Sequence, residues 1–98
     1  MKTYAVWMTV KAPEKIQKFL PAHMEHLEKL KAKNCLILSG PFLIPKHSGG
    51  MILFKAESFD AAKEIMENDP FIQNNVEDYD LREFEMTVHT PRDFVSYH

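Results

Sequence analysis

Two residues of this 98-residue chain combine a reactive type with a telling position: His23 and Asp69. Between Glu14 and Lys33 the apolar residues Ile16, Phe19, Leu20, Leu27 and Leu30 recur at three- and four-residue spacing, the pattern of an amphipathic helix. At about 100° per residue His23 falls near the middle of that apolar arc and faces inward. An imidazole among apolar side chains needs a hydrogen-bond partner, because an unpaired buried polar group costs roughly 1–3 kcal/mol. A satisfied core histidine meets that need. So does a histidine oriented by a carboxylate, which can take and return protons near neutral pH.

Asp69 stands in the stretch "ENDPFIQ", residues 67–73, at the end of a second helical run. The partial negative charge of a helix C-terminus disfavours an acid there by roughly 0.3–1 kcal/mol. Two readings offset that cost. Asp69 can N-cap a short turn, "PFIQN", with Pro70 in the favoured first position. It also extends the inward series Ala62, Ile65, Met66, which would bring its carboxylate to His23 on the neighbouring helix. Spacing alone leaves both open.

The remaining candidates are weaker. Ser39 precedes Gly40-Pro41 at a strand end, either as a turn hydroxyl or as a ligand-binding one, without a nucleophile-elbow pattern. Trp7, Phe42, Phe54 and Phe71 are candidates for an apolar pocket wall, with core packing as the alternative. His26 forms an i, i+3 pair with His23, but there is no HExxH and no Cys/His cluster, so we assign no metal and read His26 as a solvated helix-edge residue. Cys35 reads as a packing residue. His47, His89 and His98 read as solvated. No glycine-rich phosphate loop is present, and no organic cofactor is expected.

These side chains need a frame. Residues 3–10 alternate as a strand that stops before Pro13. The helix over 14–33 contains Pro21, which predicts a kink or two abutting helices, and Asn34 is placed to end it in the left-handed conformation. Residues 35–40 and 50–57 form a hairpin. A second helix runs over 59–68, N-capped by Ser58, with Asp60 in its first turn. A fourth strand covers 77–88, with a change of phase near Arg82 that predicts a bulge or face switch. Residues 89–98 form a tail carrying Phe94, Val95 and Tyr97 after a domain at 1–88.

The order βαββαβ predicts an α+β, ferredoxin-like fold with two helices on one face of an antiparallel sheet. Strand two carries Leu36 and Leu38 on one side and Cys35 and Ile37 on the other. Strand three sets Ile52 and Phe54 against Met51 and Leu53. Strands apolar on both sides are covered on both sides. Two helices cover one face, so the other packs on a second copy of the sheet, and a homodimer forming a dimeric α/β barrel follows.

With 45% hydrophobic and 27% charged residues, the composition is that of one compact soluble domain. A net charge of -2 without a Lys/Arg run removes the electrostatic footprint of nucleic-acid binding. No segment approaches the roughly 20 apolar residues of a membrane span, and the opening "MKTYAVWMTVKAPEK" alternates as a strand rather than a signal-peptide core. The single cysteine agrees with a reducing, cytoplasmic setting.

Taken in order, "LPAHMEHLEKL" (20–30), "LSGPF" (38–42) and "ENDPFIQ" resemble the YciI-like family over nearly the whole domain. The resemblance implies a ferredoxin-like dimeric α/β barrel related to small isomerases, dehydrohalogenating enzymes and cofactor-free monooxygenases. It places the family histidine on His23, the family aspartate on Asp69, and a cleft-side motif on Gly40 and Pro41. Leu20 stands where the family usually has arginine, which removes a bidentate carboxylate binder. Asn34 stands where it usually has glycine. The expected function is acid-base proton transfer by His23 and Asp69, an isomerisation or elimination, on a small cyclic or aromatic-derived substrate bound near Ser39, Gly40, Pro41, Phe42 and Phe71. The alternative is a non-catalytic dimeric module for ligand binding or assembly.

Overall fold

The computed structural model describes residues 1–88, and the tail expected at 89–98 lies outside the described residues. The chain runs β1 (Lys2–Val10), a 3-10 turn (Pro13–Lys15), α1 (Ile16–Ala32), β2 (Leu36–Pro41), β3 (Gly49–Ala56), α2 (Phe59–Glu67), a short α3 (Pro70–Gln73) and β4 (Glu77–Glu83). The strands form one sheet in the order β2-β3-β1-β4, with every neighbouring pair antiparallel. This is the ferredoxin-like α+β fold.

Strand alternation decides which side chains meet the helices. Tyr4, Val6 and Met8 of β1 and Ile52, Phe54 and Ala56 of β3 are buried in one cluster with Leu27 and Leu30 of α1, Ala62 and Met66 of α2, Phe71 of α3 and Val76. On the other face Trp7 is 58% exposed, Leu38 48% and Met51 36%. Among the described residues no helix lies over that face.

Local sequence rules explain most boundaries. Asn34 has a left-handed φ of 58°, and the Cys35 amide donates to the Leu30 carbonyl at 3.0 Å, the wide hydrogen bond that closes a helix of this kind. The Ser58 hydroxyl accepts from the Ala61 amide at 3.1 Å and caps α2. Two expectations are corrected. Of the kink or two abutting helices expected at Pro21, the division is overturned: one helix continues through it from Ile16 to Ala32. The missing amide would have bonded to the Gln17 carbonyl in the first turn, where both residues are exposed and water can take that carbonyl. The fourth strand ends at Glu83, and Phe84 and Met86 are exposed beyond it. Glu83 lies opposite Tyr4 and the Phe84 amide bonds the Thr3 carbonyl, so the ladder runs out where β1 begins. The phase change near Arg82 is the end of the strand.

Register brings four strand ends together. Val10 lies opposite Glu77, Met8 opposite Gly50, and Gly50 opposite Pro41. The loop from 42 to 48 is tied to this end by Val10 N–H to Ser48 O at 2.9 Å and Phe42 N–H to Gly49 O at 2.8 Å. Gly49 has φ of 148°, and a Cβ there would stand 1.8 Å from the Met8 carbonyl oxygen, so the approach of this loop to β1 requires glycine.

Candidate functional site

Three consecutive residues build one wall of the site. Asp69 is extended, at φ -70° and ψ 126°, and N-caps α3: its Oδ1 accepts from the Phe71 amide at 2.9 Å. Pro70 offers no amide, so the first donor the carboxylate can reach is that of Phe71. The same carboxylate meets His23, whose Nδ1 lies 2.9 Å from Oδ1 and 3.0 Å from Oδ2. The Phe71 ring then stacks on the imidazole, with centroids 4.0 Å apart and planes within 6°. Capping and the histidine contact are therefore one arrangement, because one carboxylate has lone pairs for both.

This geometry fixes the ring twice. A carboxylate only accepts, so Nδ1 carries a proton and donates it to Asp69, and the stacked phenyl ring sets the imidazole plane. Nε2 is the nitrogen left free. Asp69 is 0% exposed and His23 9% exposed, so water competes little for the contact. A buried carboxylate is tolerable only when paired and hydrogen-bonded, and here it accepts from both partners.

In front of His23 lies a cavity of about 380 Å³. Its walls come from α1 (Leu20, His23, Leu27), from β1 and β3 (Met8, Val10, Ile52) and from Phe71. Ser39, Gly40, Pro41 and Phe42 form the opposite side, so these sequence candidates share one space with His23 and Phe71. Asp69 stands behind the imidazole and does not line the cavity. Two aromatic candidates are corrected. Phe54 is fully buried against Tyr4 in the core, and Trp7 lies on the open sheet face, where it packs on Phe42 at 4.4 Å. Both positions follow from strand phase: Phe54 shares the inward set of Ile52 deep in the sheet, and Trp7 belongs to the outward set of β1.

His26 is also corrected. It is half-buried, its Nε2 is shut away from solvent with no hydrogen-bond partner among the described residues, and burial lowers its pKa from the ordinary value, partly offset by the Asp69 charge. Cys35 is half-buried against the core. Among the described residues no group of three or more His, Cys, Asp or Glu side chains is arranged to hold a metal ion.

Three polar cavity residues escaped the sequence reading. Lys46 and His47 reach the rim from the exposed β2–β3 loop, which has no periodicity to reveal where it folds. Glu77, the first residue of β4, lines the cavity while only 7% exposed. Burial raises its pKa from the ordinary value, with the His23 charge opposing and the Asp69 charge adding. A signal existed: Glu77 shares the inward phase of Tyr79 and Leu81, and an acid in an inward series is anomalous.

Ferredoxin-like fold, paired histidine and carboxylate, and an apolar cavity beside them describe a small α+β domain with a concave candidate site. Residues 2–85 match the YCII-related domain, and the chain belongs to that family. It is 28% identical over 86 residues to the uncharacterized protein YjpA of Bacillus subtilis (strain 168), spanning 88% of this chain and 98% of that protein. Among solved structures it is similar to the 5-chloro-2-hydroxyhydroquinone dehydrochlorinase from Burkholderia phenoliruptrix AC1100, in complex with 2,5-dihydroxybenzoquinone. The TM-score is 0.75 and the identity 22%, over 85% of this chain and 93% of that one. It is also similar to a muconolactone isomerase, with TM-score 0.68 and 18% identity, over 91% of this chain and 97% of that one. At these identities the structural likeness is one of fold.

Proposed function

We propose that this chain is a small homodimeric enzyme that moves a proton on a small ring-shaped substrate, an isomerase or a lyase. His23 is the general acid-base through Nε2, and Asp69 positions it by holding the Nδ1 proton. The observation that carries this reading is the Nδ1 contact of 2.9 Å to a fully buried carboxylate, on the wall of an apolar cavity. An imidazole held at one nitrogen by a carboxylate, with its second nitrogen toward an apolar cavity, suits general acid-base catalysis. The reaction needs only the side chains of the chain itself.

Support for the substrate class comes from cavity chemistry and from fold relatives. The walls are mostly apolar, with Ser39, Glu77, Lys46 and His47 as polar points, which suits a flat ring with a few oxygens. The dehydrochlorinase of similar fold holds 2,5-dihydroxybenzoquinone, and the isomerase acts on a lactone. Support for the dimer comes from the open sheet face, where Trp7, Leu38 and Met51 are exposed together on a domain too small to leave such a face bare cheaply.

One observation favours a structural reading: Asp69 also caps α3 through the Phe71 amide. The two readings separate in His23→Ala, assayed with muconolactone and 2,5-dihydroxybenzoquinone as probes. The enzyme reading expects probe conversion or tight binding by the wild type, loss of both in the variant, and an unchanged fold and dimer. A variant that loses stability while processing the probes as the wild type does overturns it.

A further inference from the structure

Glu77 is an acid that the local structure does not use. Among the described residues it is the one carboxylate lining the cavity, and no described side chain or backbone group gives it a hydrogen bond or ion pair. Its neighbour Asp78 takes the nearby cation instead, with Lys11 Nζ at 3.3 Å. Its carboxyl oxygens open onto the cavity, where water or a bound molecule supplies the partner that a mostly buried acid needs. The register explains how the side chain is aimed: Glu77 opposes Val10, which also lines the cavity, at the end of the sheet over which His23 stands.

Resting on the acid-base reading of His23, we propose that Glu77 is the second proton-handling group of the site. With it, the cavity takes a β,γ-unsaturated ring ketone or lactone whose carbonyl oxygen meets the Glu77 carboxyl and whose acidic carbon faces His23. The step balances without a co-reactant. Nε2 of neutral His23 takes the proton from the carbon next to the carbonyl, and the C–H electron pair forms a C=C bond. The carbonyl π pair moves to oxygen, which takes the proton of the Glu77 carboxyl. A neutral dienol, an imidazolium and a carboxylate result. The carboxylate then withdraws the enol proton while the γ-carbon takes the proton from Nε2, so the double bond has moved and both side chains are restored. Two titratable groups facing one cavity, with different environments, are the pattern by which acid and base roles divide. Its raised pKa keeps the Glu77 carboxyl protonated to higher pH than an exposed glutamate. The charged and titratable groups that face it are His23 from α1, with Asp69 behind that ring, and Lys46 and His47 from the β2–β3 loop.

The test uses 4-nitrophenol, a flat ring whose hydroxyl mimics the enol oxygen and whose absorbance reports the form bound. Its dissociation constant is measured from about pH 5 to about pH 8 on wild type, Glu77→Gln and His23→Ala. The proposal expects binding by the wild type. It expects Glu77→Gln to weaken binding by about tenfold or more, the range for a hydrogen bond to a charged group, and to erase one step of the pH profile. Should Glu77→Gln fail to fold, the ¹³C carboxyl resonance of Glu77 in the wild type decides: a titration displaced by bound probe supports the proposal, and an undisplaced one overturns it. Wild-type affinity and pH profile in Glu77→Gln, with both altered in His23→Ala, overturn the role of Glu77 and leave that of His23 standing. If neither variant differs from the wild type, or the wild type does not bind, both fall.

Discussion

The cavity has two unlike walls. On one side His23 and Phe71, with Asp69 behind them, are buried, and each is held by at least one hydrogen bond or ring stack. On the other, Ser39, Gly40 and Pro41 end a strand in solvent, and Leu43, Lys46 and His47 are exposed on a loop. The first wall is over-determined: removing one contact leaves others to hold the imidazole. The second is set by a strand end and a loop, which tolerate change in sequence and shape. On the proposed function, a fixed acid-base group facing an adjustable rim would keep chemistry constant while specificity varies. Glu77 stands between them, held by a strand but free at its side chain.

If the walls differ in this way, substitutions should sort accordingly. The largest effect is expected at His23→Ala, with turnover of an accepted substrate falling by roughly 10²–10⁴, the usual worth of general acid-base catalysis. Circular dichroism and sedimentation should show fold and oligomer unchanged. Next, Asp69→Ala should destabilise the domain in urea unfolding by about 2–4 kcal/mol, because the α3 cap is lost and the His23 N–H is left buried without a partner. A loss under about 1 kcal/mol would show that the cap and the histidine contact add little to the stability of the first wall. On the rim, Ser39→Ala should change stability by less than about 0.5 kcal/mol and weaken substrate binding by no more than about tenfold, visible in KM and not in kcat. A large kcat effect there would erase the contrast.

The smallest effect concerns pH. Burial lowers the His26 pKa from its ordinary value of 6.5, so below that value the unfolded chain binds more protons than the folded one. Stability held above about pH 6.5 is therefore lost as pH falls through the lowered value. Glu77 acts in the opposite sense: its pKa is raised from 4.5, so its contribution is full below that value and declines as pH rises through the raised one. Urea unfolding of His26→Gln across this range should show a shallower acid loss than the wild type. An equal slope would mean that His26 stays as solvated when folded as when unfolded.

The legibility of these features in the sequence follows the same division. Period and punctuation located every strand and helix core, because Pro13, Asn34, Gly40-Pro41, Ser58 and Pro70 act through local backbone chemistry. The positions of His23 and Asp69 were readable from their places in apolar series. Their distance was not, since it depends on how α1 crosses α3. Strand four ends sooner than its own residues indicate, because its end is set by the partner strand. Glu77 is legible as an acid in an inward phase, though the cavity it lines is not. Lys46 and His47 sit in an aperiodic loop, where tertiary tethers to Val10 and Gly49 decide the path.

The central claim is that Asp69 holds the Nδ1 proton of His23 and leaves Nε2 free for chemistry. The ¹⁵N resonances of the His23 ring test it directly, recorded on wild type and Asp69→Asn with the ring neutral. The account predicts a single Nδ1–H tautomer with bare Nε2 in the wild type. In Asp69→Asn, whose amide presents a donor as well as an acceptor, it predicts a shift toward Nε2–H. An Nε2–H tautomer in the wild type, or a tautomer balance unmoved by Asp69→Asn, would contradict it.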